Sequence, residues 1–299
     1  MEFRKSGLLL LHKEAGMTSQ SAVSRVRRLF GVDKAGHTGT LDPMATGVLP
    51  ILLGRAVKAS DYLITSHKHY RATLLLGVST DTEDTTGTVL TTFEGPFPDE
   101  KTVLETVASF LGEQRQIPPM YSALKQGGRK LCDLARAGVT VEREARPITV
   151  FSIEAERLSE SEYTLDVLCS KGTYIRTLCA DIGRALGCGG AMKALCRLSA
   201  AGYSLESAKT LDELAALTEE ERLACLIPPE ALFPSFPPVS LPPFFSHLAH
   251  SGAEIYLKKI GLSAAPGDRF RLYDEKGFFA IGEVREFEDG LAIKPLKQF

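Results

Sequence analysis

Residues 226–243 read LIPPEALFPSFPPVSLPP and hold seven of the sixteen prolines in the chain. Proline fixes φ and has no backbone N–H, so this segment can be neither a helix nor an interior strand; it must run as a linker or an extended wrap. It divides the 299 residues into a long part and a short one. In the short part, RFRLYDEKGFFAIGEVREFEDGLAIKPL (Arg269–Leu296) reads as short strands with turns at Glu275-Lys276-Gly277 and Asp289-Gly290, which predicts a small β module.

In the long part, strand-like and helix-like segments alternate. Thr18 or Ser19 can cap a helix whose apolar positions Ala22, Val23, Val26, Leu29 and Phe30 follow the 3.6-residue period, with Arg25 and Arg28 towards solvent and Gly31 as its stop. Tyr70–Leu76 and Tyr163–Cys169 read as strands. Val103–Leu111 and Thr177–Leu186 read as helices, the second stopped by Gly187. The fold class is therefore α/β, a mixed α+β arrangement.

At 44% hydrophobic and 24% charged, the chain is that of an ordinary globular protein with a sizeable core. No stretch approaches the roughly 18 apolar residues of a membrane span, and the Leu8–Leu11 run breaks off too early for a signal peptide, so a cytoplasmic location is expected. None of the six cysteines forms a CxxC pair, which leaves them as reduced, mostly structural thiols.

The net charge of −2 hides an asymmetry. Between Tyr121 and Val150 lie Lys125, Arg129, Lys130, Arg136, Arg143 and Arg146 against three acids, with more basic residues at Arg25, Arg27 and Arg28. Residues 201–234 are acidic instead, with seven acids against Lys209 and Arg222. One face can hold phosphates, or each run is simply a solvated face.

The densest chemical signal is Gly36–Pro50, GHTGTLDPMATGVLP. Gly36, Gly39 and Gly47 open backbone shapes closed to other residues, and Pro43 pushes Asp42 away from the α region, so the loop presents the Asp42 carboxylate. Alone, Asp42-Pro43 reads equally as a turn or a helix cap.

This segment resembles the signature motif of the bacterial tRNA pseudouridine synthase B family. Three further segments resemble the same family in the right order: HKHYRATLLLG (His67–Gly77), IPPMYSALKQGGRKL with REARPITV (Ile117–Leu131 and Arg143–Val150), and CSKGTYIRTL (Cys169–Leu178). The resemblance covers most of residues 8–200 and is looser in the C-terminal third.

The resemblance implies a pseudouridine-synthase-like catalytic domain over residues 1–235, built on a central mixed or antiparallel sheet, followed by a PUA-like RNA-binding β domain over 240–299. It implies catalysis by Asp42, with Tyr70 stacked on the target base and Arg176 paired with the carboxylate beside Tyr174. Lys13 and His37 match family positions near the target nucleotide, although the family's Lys-Pro step here reads Lys13-Glu14. Met120 and Tyr121 are expected to line the pocket.

Residues 124–147, with Lys125, Arg129, Lys130, Arg143 and Arg146, match a mobile RNA-gripping insertion. The implied partner is tRNA, through its T stem-loop at uridine 55 and its acceptor side, with the protein a monomer that requires no protein partner. Moving a uracil from N1 to C5 attachment needs no redox change or group transfer, and no Walker motif, GxGxxG fingerprint or His/Cys metal spacing is present, so no cofactor and no metal are expected. Two other readings stay open on the residues alone: a non-catalytic RNA-binding protein, and a metal-dependent hydrolase using His67 and His69.

Overall fold

The computed structural model describes residues 5–64 and 67–299. At its centre is a sheet in the order Gly7–Lys13, Thr46–Leu53, Gly190–Ala200, Lys68–Leu76, Glu162–Cys169, Arg146–Arg157, Gly112–Gln116. Neighbours along it are antiparallel except at one seam, where Cys196 pairs with Thr46 and Arg197 with Gly47 in parallel register. This is the mixed sheet expected for the fold class, and a smaller β unit follows it.

The Leu8–Leu11 run belongs to a strand covered on both faces. Successive side chains point to opposite sides of a sheet, and Leu9 and Leu11 join one apolar cluster while Leu8 and Leu10 join another. Thr46–Leu53 divides likewise, with Leu49, Ile51 and Leu53 on one side and Val48 and Leu52 on the other. Each such side chain contributes about 1.5–3 kcal/mol by leaving water, so the strand that follows the Asp42 loop is among the most firmly held in the fold.

The helix Ser19–Phe30 packs Ala22, Val23, Val26 and Phe30 onto the first of these clusters. Thr18 caps it by accepting a hydrogen bond from the Ser21 N–H at 3.0 Å, and Gly31 ends it in the left-handed conformation at φ 60°. Arg25, Arg27 and Arg28 face solvent. The helix expected at Val103–Leu111 spans Glu100–Ala108, because Asp99 caps it by accepting from the Thr102 N–H at 2.8 Å. The one expected at Thr177–Leu186 spans Ile175–Ala185.

The acidic run over 201–234 has a local cause. Thr210 with Glu213 and Thr218 with Glu221 form capping boxes that start the helices Leu211–Ala216 and Glu219–Ala224. The proline-rich stretch is a wrap rather than a free linker. Ile227 exchanges backbone hydrogen bonds with Leu8, Leu232 and Phe233 are buried, and Pro238–Ser240 lies parallel to Arg269–Asp274 as an edge strand.

The C-terminal strands order as Pro238–Ser240, Arg269–Asp274, Gly277–Phe287, Gly290–Gln298, Ile255–Tyr256 around their own core. The two expected turns are present, with Gly277 at φ 118° and Gly290 at φ 114°. Phe233 fastens this unit to the first by meeting Tyr62 and Phe299 at ring separations of 5.2 and 5.5 Å. Among the described residues no helix is long and apolar enough to cross a membrane.

Candidate active site

The segment 36–50 is part strand and part loop: Ala35–His37 pairs with residues 51–53, and Thr46–Leu53 resumes the sheet. Of its three glycines only Gly47 has a positive φ, 114°, and an added Cβ there would stand 2.3 Å from the Arg197 carbonyl oxygen. Gly36 lies in ordinary strand geometry. Gly39 has no positive φ either, and a Cβ there would make only ordinary contacts, 3.5 Å from both the Arg197 Nη1 and the Lys68 side chain.

Two buried side chains clamp the backbone on either side of Asp42. The Ser19 hydroxyl accepts from the Leu41 N–H at 2.8 Å and donates to the Leu41 carbonyl at 3.0 Å. The Lys13 ammonium, 0% exposed, donates to the carbonyls of Ala45 at 2.6 Å, Pro43 at 3.3 Å and Glu14 at 3.0 Å. Burial lowers the Lys13 pKa to about 8, opposed by the nearby Asp42 charge. Lys13 thus acts on the loop's backbone.

Arg176 joins four segments of the fold. It is 5% exposed at the first turn of the helix Ile175–Ala185, and its Nε meets Asp42 Oδ2 at 2.9 Å while Nη2 reaches Oδ1 at 3.3 Å. Nη2 also donates to the Tyr121 carbonyl at 2.8 Å and Nη1 to the Thr82 carbonyl at 2.9 Å. The two-oxygen grip fixes the plane of the carboxylate as well as its position.

Asp42 is 31% exposed at its side chain, so the loop presents it only in part. A buried arginine beside it is expected to depress its pKa, yet the net shift is upward. Burial dominates, Arg176 offsets part of it, and the second carboxylate, Asp84, adds to the rise.

Asp84 carries no motif signal of its own, and only the tertiary structure brings it here. It is buried 3.8 Å from Arg176 Nε and organises its turn by accepting from the Thr82 hydroxyl at 2.8 Å and the Thr86 N–H at 2.9 Å. A run such as TDTEDTTGT reads from sequence as a polar turn, and the ion-pair partner sits more than 90 residues away.

Tyr70 lies on the strand Lys68–Leu76, 7% exposed, with its phenol pushed up by burial and drawn back by Arg197. His37 is half-buried on Ala35–His37, held below its ordinary pKa by burial and by Arg197, so its ring is neutral at pH 7; its Nδ1 has no hydrogen-bond partner. Tyr174 sits just before the helix, where Gln116 grips its backbone by accepting from its N–H at 2.8 Å and donating to its carbonyl at 3.0 Å. Met120 and Tyr121 are half-buried at the base of the insertion.

Within 124–147, Lys125 and Arg129–Lys130 stand exposed on a two-stranded hairpin turned by Gly127 and Gly128, both with positive φ. Arg146 is exposed at the start of Arg146–Arg157. Arg143 differs from these, being half-buried with its Nη1 donating to the Pro118 carbonyl at 3.0 Å, so it ties the insertion to its base.

The two histidines of the hydrolase reading go separate ways. His67 packs against Phe151 with ring centres 4.2 Å apart and planes tilted by 34°, and His69 is hydrogen-bonded to Asp166, which Arg71 also holds at 3.0 Å. Among the described residues no group of three His, Cys, Asp or Glu is placed to hold a metal ion.

The model of the TruB family pseudouridylate synthase N-terminal domain matches residues 27–175, and that of the tRNA pseudouridylate synthase B C-terminal domain matches residues 176–233. Proteins named tRNA pseudouridine synthase B are 44% identical in Alkaliphilus oremlandii, over 94% of this chain and 93% of that one, and 46% identical in Burkholderia pseudomallei, over 97% and 96%. A chain of a Cbf5-Nop10-Gar1 complex superposes with a TM-score of 0.71 at 26% identity, covering 99% of this chain and 85% of that one. A chain of an H/ACA RNP bound to a substrate RNA containing 2′-deoxyuridine, at 24% identity, shares the fold with a TM-score of 0.71 over 100% and 86%. On these matches, which run through the Asp42 loop and the Arg176 helix alike, the chain belongs to the TruB family of pseudouridylate synthases.

Proposed function

We propose that the protein isomerises uridine to pseudouridine in tRNA, at uridine 55 of the T-loop, with Asp42 as the catalytic carboxylate. The observation that carries this reading is the bidentate Arg176–Asp42 pair, set in a half-buried loop beside Tyr70. The reaction breaks the ribose C1′–N1 bond, turns the uracil in place and joins C5 to C1′; N1 gains a proton and C5 loses one. Whether the carboxylate attacks the sugar or the base, or takes a ribose proton, it must be ionised and immobile; Arg176 fixes its position and offsets part of the burial that favours its protonated form.

A uracil inside folded RNA must leave its stack to reach Asp42, and Tyr70 offers the aromatic platform to receive it. Met120, Tyr121 and Tyr174 line the approach, and His37 stands at the loop entrance beside the nucleotide. In this reading Lys125, Arg129, Lys130 and Arg146 grip phosphates, which position the RNA without reading its sequence, and Arg143 holds the base of that insertion. The C-terminal β unit, PUA-like, adds contacts towards the acceptor side. The catalytic domain spans 1–235 and the RNA-binding one 240–299, in a monomer acting in the cytoplasm, where its six free thiols stay reduced.

Tritium release from tRNA transcripts labelled at uracil C5 tests the reading, with Asp42→Asn compared at matched tRNA binding. Release by the wild type and none by the variant is the expected result. Release by both removes Asp42 from the chemistry, and release by neither leaves an RNA-binding protein.

A further inference from the structure

Arg197 is the largest fully buried side chain among the described residues, at 0% exposure. No carboxylate lies within ion-pair distance of it among those residues. A buried cation without an anionic partner is expensive, and apolar replacements of buried ions are often neutral or stabilising. Packing therefore gives no reason for an arginine at this position; its neighbours do.

On the strand Gly190–Ala200, Arg197 stands in register between Tyr70 on one side and Gly47 on the other. Directly paired residues share a face of the sheet, so the Arg197 side chain lies on the same face as Tyr70, while the missing side chain of Gly47 lets the Arg197 backbone approach closely. Its Nε donates to the Val48 carbonyl at 2.8 Å and its Nη2 to the Gly39 carbonyl at 3.2 Å. These two carbonyls lie on opposite arms of the loop that presents Asp42.

The third nitrogen, Nη1, is buried without a hydrogen-bond partner, and the Tyr70 phenol, on the residue paired with Arg197 across the two strands, is pushed up by burial and drawn back by the same guanidinium. We infer that Arg197 is a positioning residue, holding the Tyr70 hydroxyl and both arms of the Asp42 loop in one fixed relation and acting on the reaction through that hydroxyl. The inference rests on the function proposed above. It adds a residue on a different element from the Asp42 loop, the Tyr70 strand and the Arg176 helix, linked to the chemistry only through its neighbours.

A double-mutant cycle tests it: Arg197→Met and Arg197→Lys, each alone and with Tyr70→Phe, in single-turnover tritium release at saturating tRNA. A misplaced reacting group costs up to about 100-fold, so Arg197→Met is expected to lose rate on that order with tRNA affinity unchanged. Arg197→Lys, which keeps the charge, should recover part of the rate. In the Tyr70→Phe background the Met substitution should cost less than about threefold, because residues acting as a unit are non-additive. Losses that simply multiply would overturn the inference.

A second readout needs neither activity nor tRNA. With 3-fluorotyrosine at position 70, replacing Arg197 should shift the 19F resonance and move the phenol ionisation to higher pH, since a neighbouring cation favours phenolate. An unmoved resonance and ionisation would also overturn it. If Arg197→Met does not fold, Arg197→Gln, which removes the charge but keeps a polar head for the Val48 and Gly39 carbonyls, carries the same comparison. If the wild type proves inactive on tRNA, the proposed function fails while the fluorine titration still decides the role of Arg197.

Discussion

Replacing Arg176 by methionine keeps most of the side-chain volume and removes the guanidinium that grips Asp42. The structure sets two costs. The carbonyls of Thr82 and Tyr121 each lose a charged donor, about 1–3 kcal/mol apiece for an acceptor left buried. The Asp42 carboxylate, already above the ordinary aspartate range because of burial, loses the main influence holding it down. An arginine beside an aspartate typically lowers its pKa by about 1–3 units, so the Asp42 pKa should rise by about that much in the variant, or about 1–4 kcal/mol towards the protonated form at 1.36 kcal/mol per unit.

Since the reaction requires ionised Asp42, its rate falls as pH drops through the folded-state pKa. Single-turnover tritium release from pH 5 to 9 at saturating tRNA should therefore show the acidic limb displaced upward by about 1–3 units in Arg176→Met, with partial recovery at high pH. Arg176 is buried, so tRNA affinity should change little. An acidic limb at the wild-type position, with the profile merely scaled down, would refute the claim that Arg176 governs the charge state of Asp42.

Gly47→Ala forces a Cβ to 2.3 Å from the Arg197 carbonyl at φ 114°; denaturant unfolding should show a loss of about 2–6 kcal/mol from overpacking and backbone strain together. Lys13, with a folded-state pKa of about 8, releases its proton before the unfolded chain does. Wild-type stability relative to Lys13→Met should be flat below pH 8 and climb between there and about pH 10.5, by no more than about 3 kcal/mol; a flat difference in urea titrations at pH 7 and 10 would count against the burial argument. The exposed set Lys125→Ala, Arg129→Ala and Lys130→Ala should lower the salt dependence of tRNA binding by about 0.7–0.9 for each phosphate that is no longer neutralised, leaving thermal stability and the saturated rate in place. A salt slope equal to that of the wild type would show that the hairpin does not touch phosphate.

Much of the architecture is legible in local sequence because its causes are local. Thr18 and Gly31 bracket their helix, Gly277 and Gly290 mark hairpins, and seven prolines over 226–243 exclude a regular core element there. Helix starts are harder to read where the cap lies outside the apolar pattern, as with Asp99 before Glu100–Ala108. The Asp42 loop stands out because glycine and proline are dense there. Of its glycines, only Gly47 proves to need a positive φ, and the partner of the Gly39 carbonyl, Arg197, lies 158 residues away.

By itself the sequence determined the kinds of element, the two-part division and the family to which the Asp42, Tyr70 and Arg176 segments belong, since each depends on residues close together in the chain. The charge states at the site were decided by the tertiary structure alone. Burial overrides Arg176 in setting the pKa of Asp42 and lowers that of Lys13, while the path of the chain brings in Asp84 as a second carboxylate and buries Arg197 away from any anion among the described residues. Desolvation and Coulomb interaction depend on what surrounds a group in space, and at this site the surroundings come from four strands, a turn and a helix that only folding assembles.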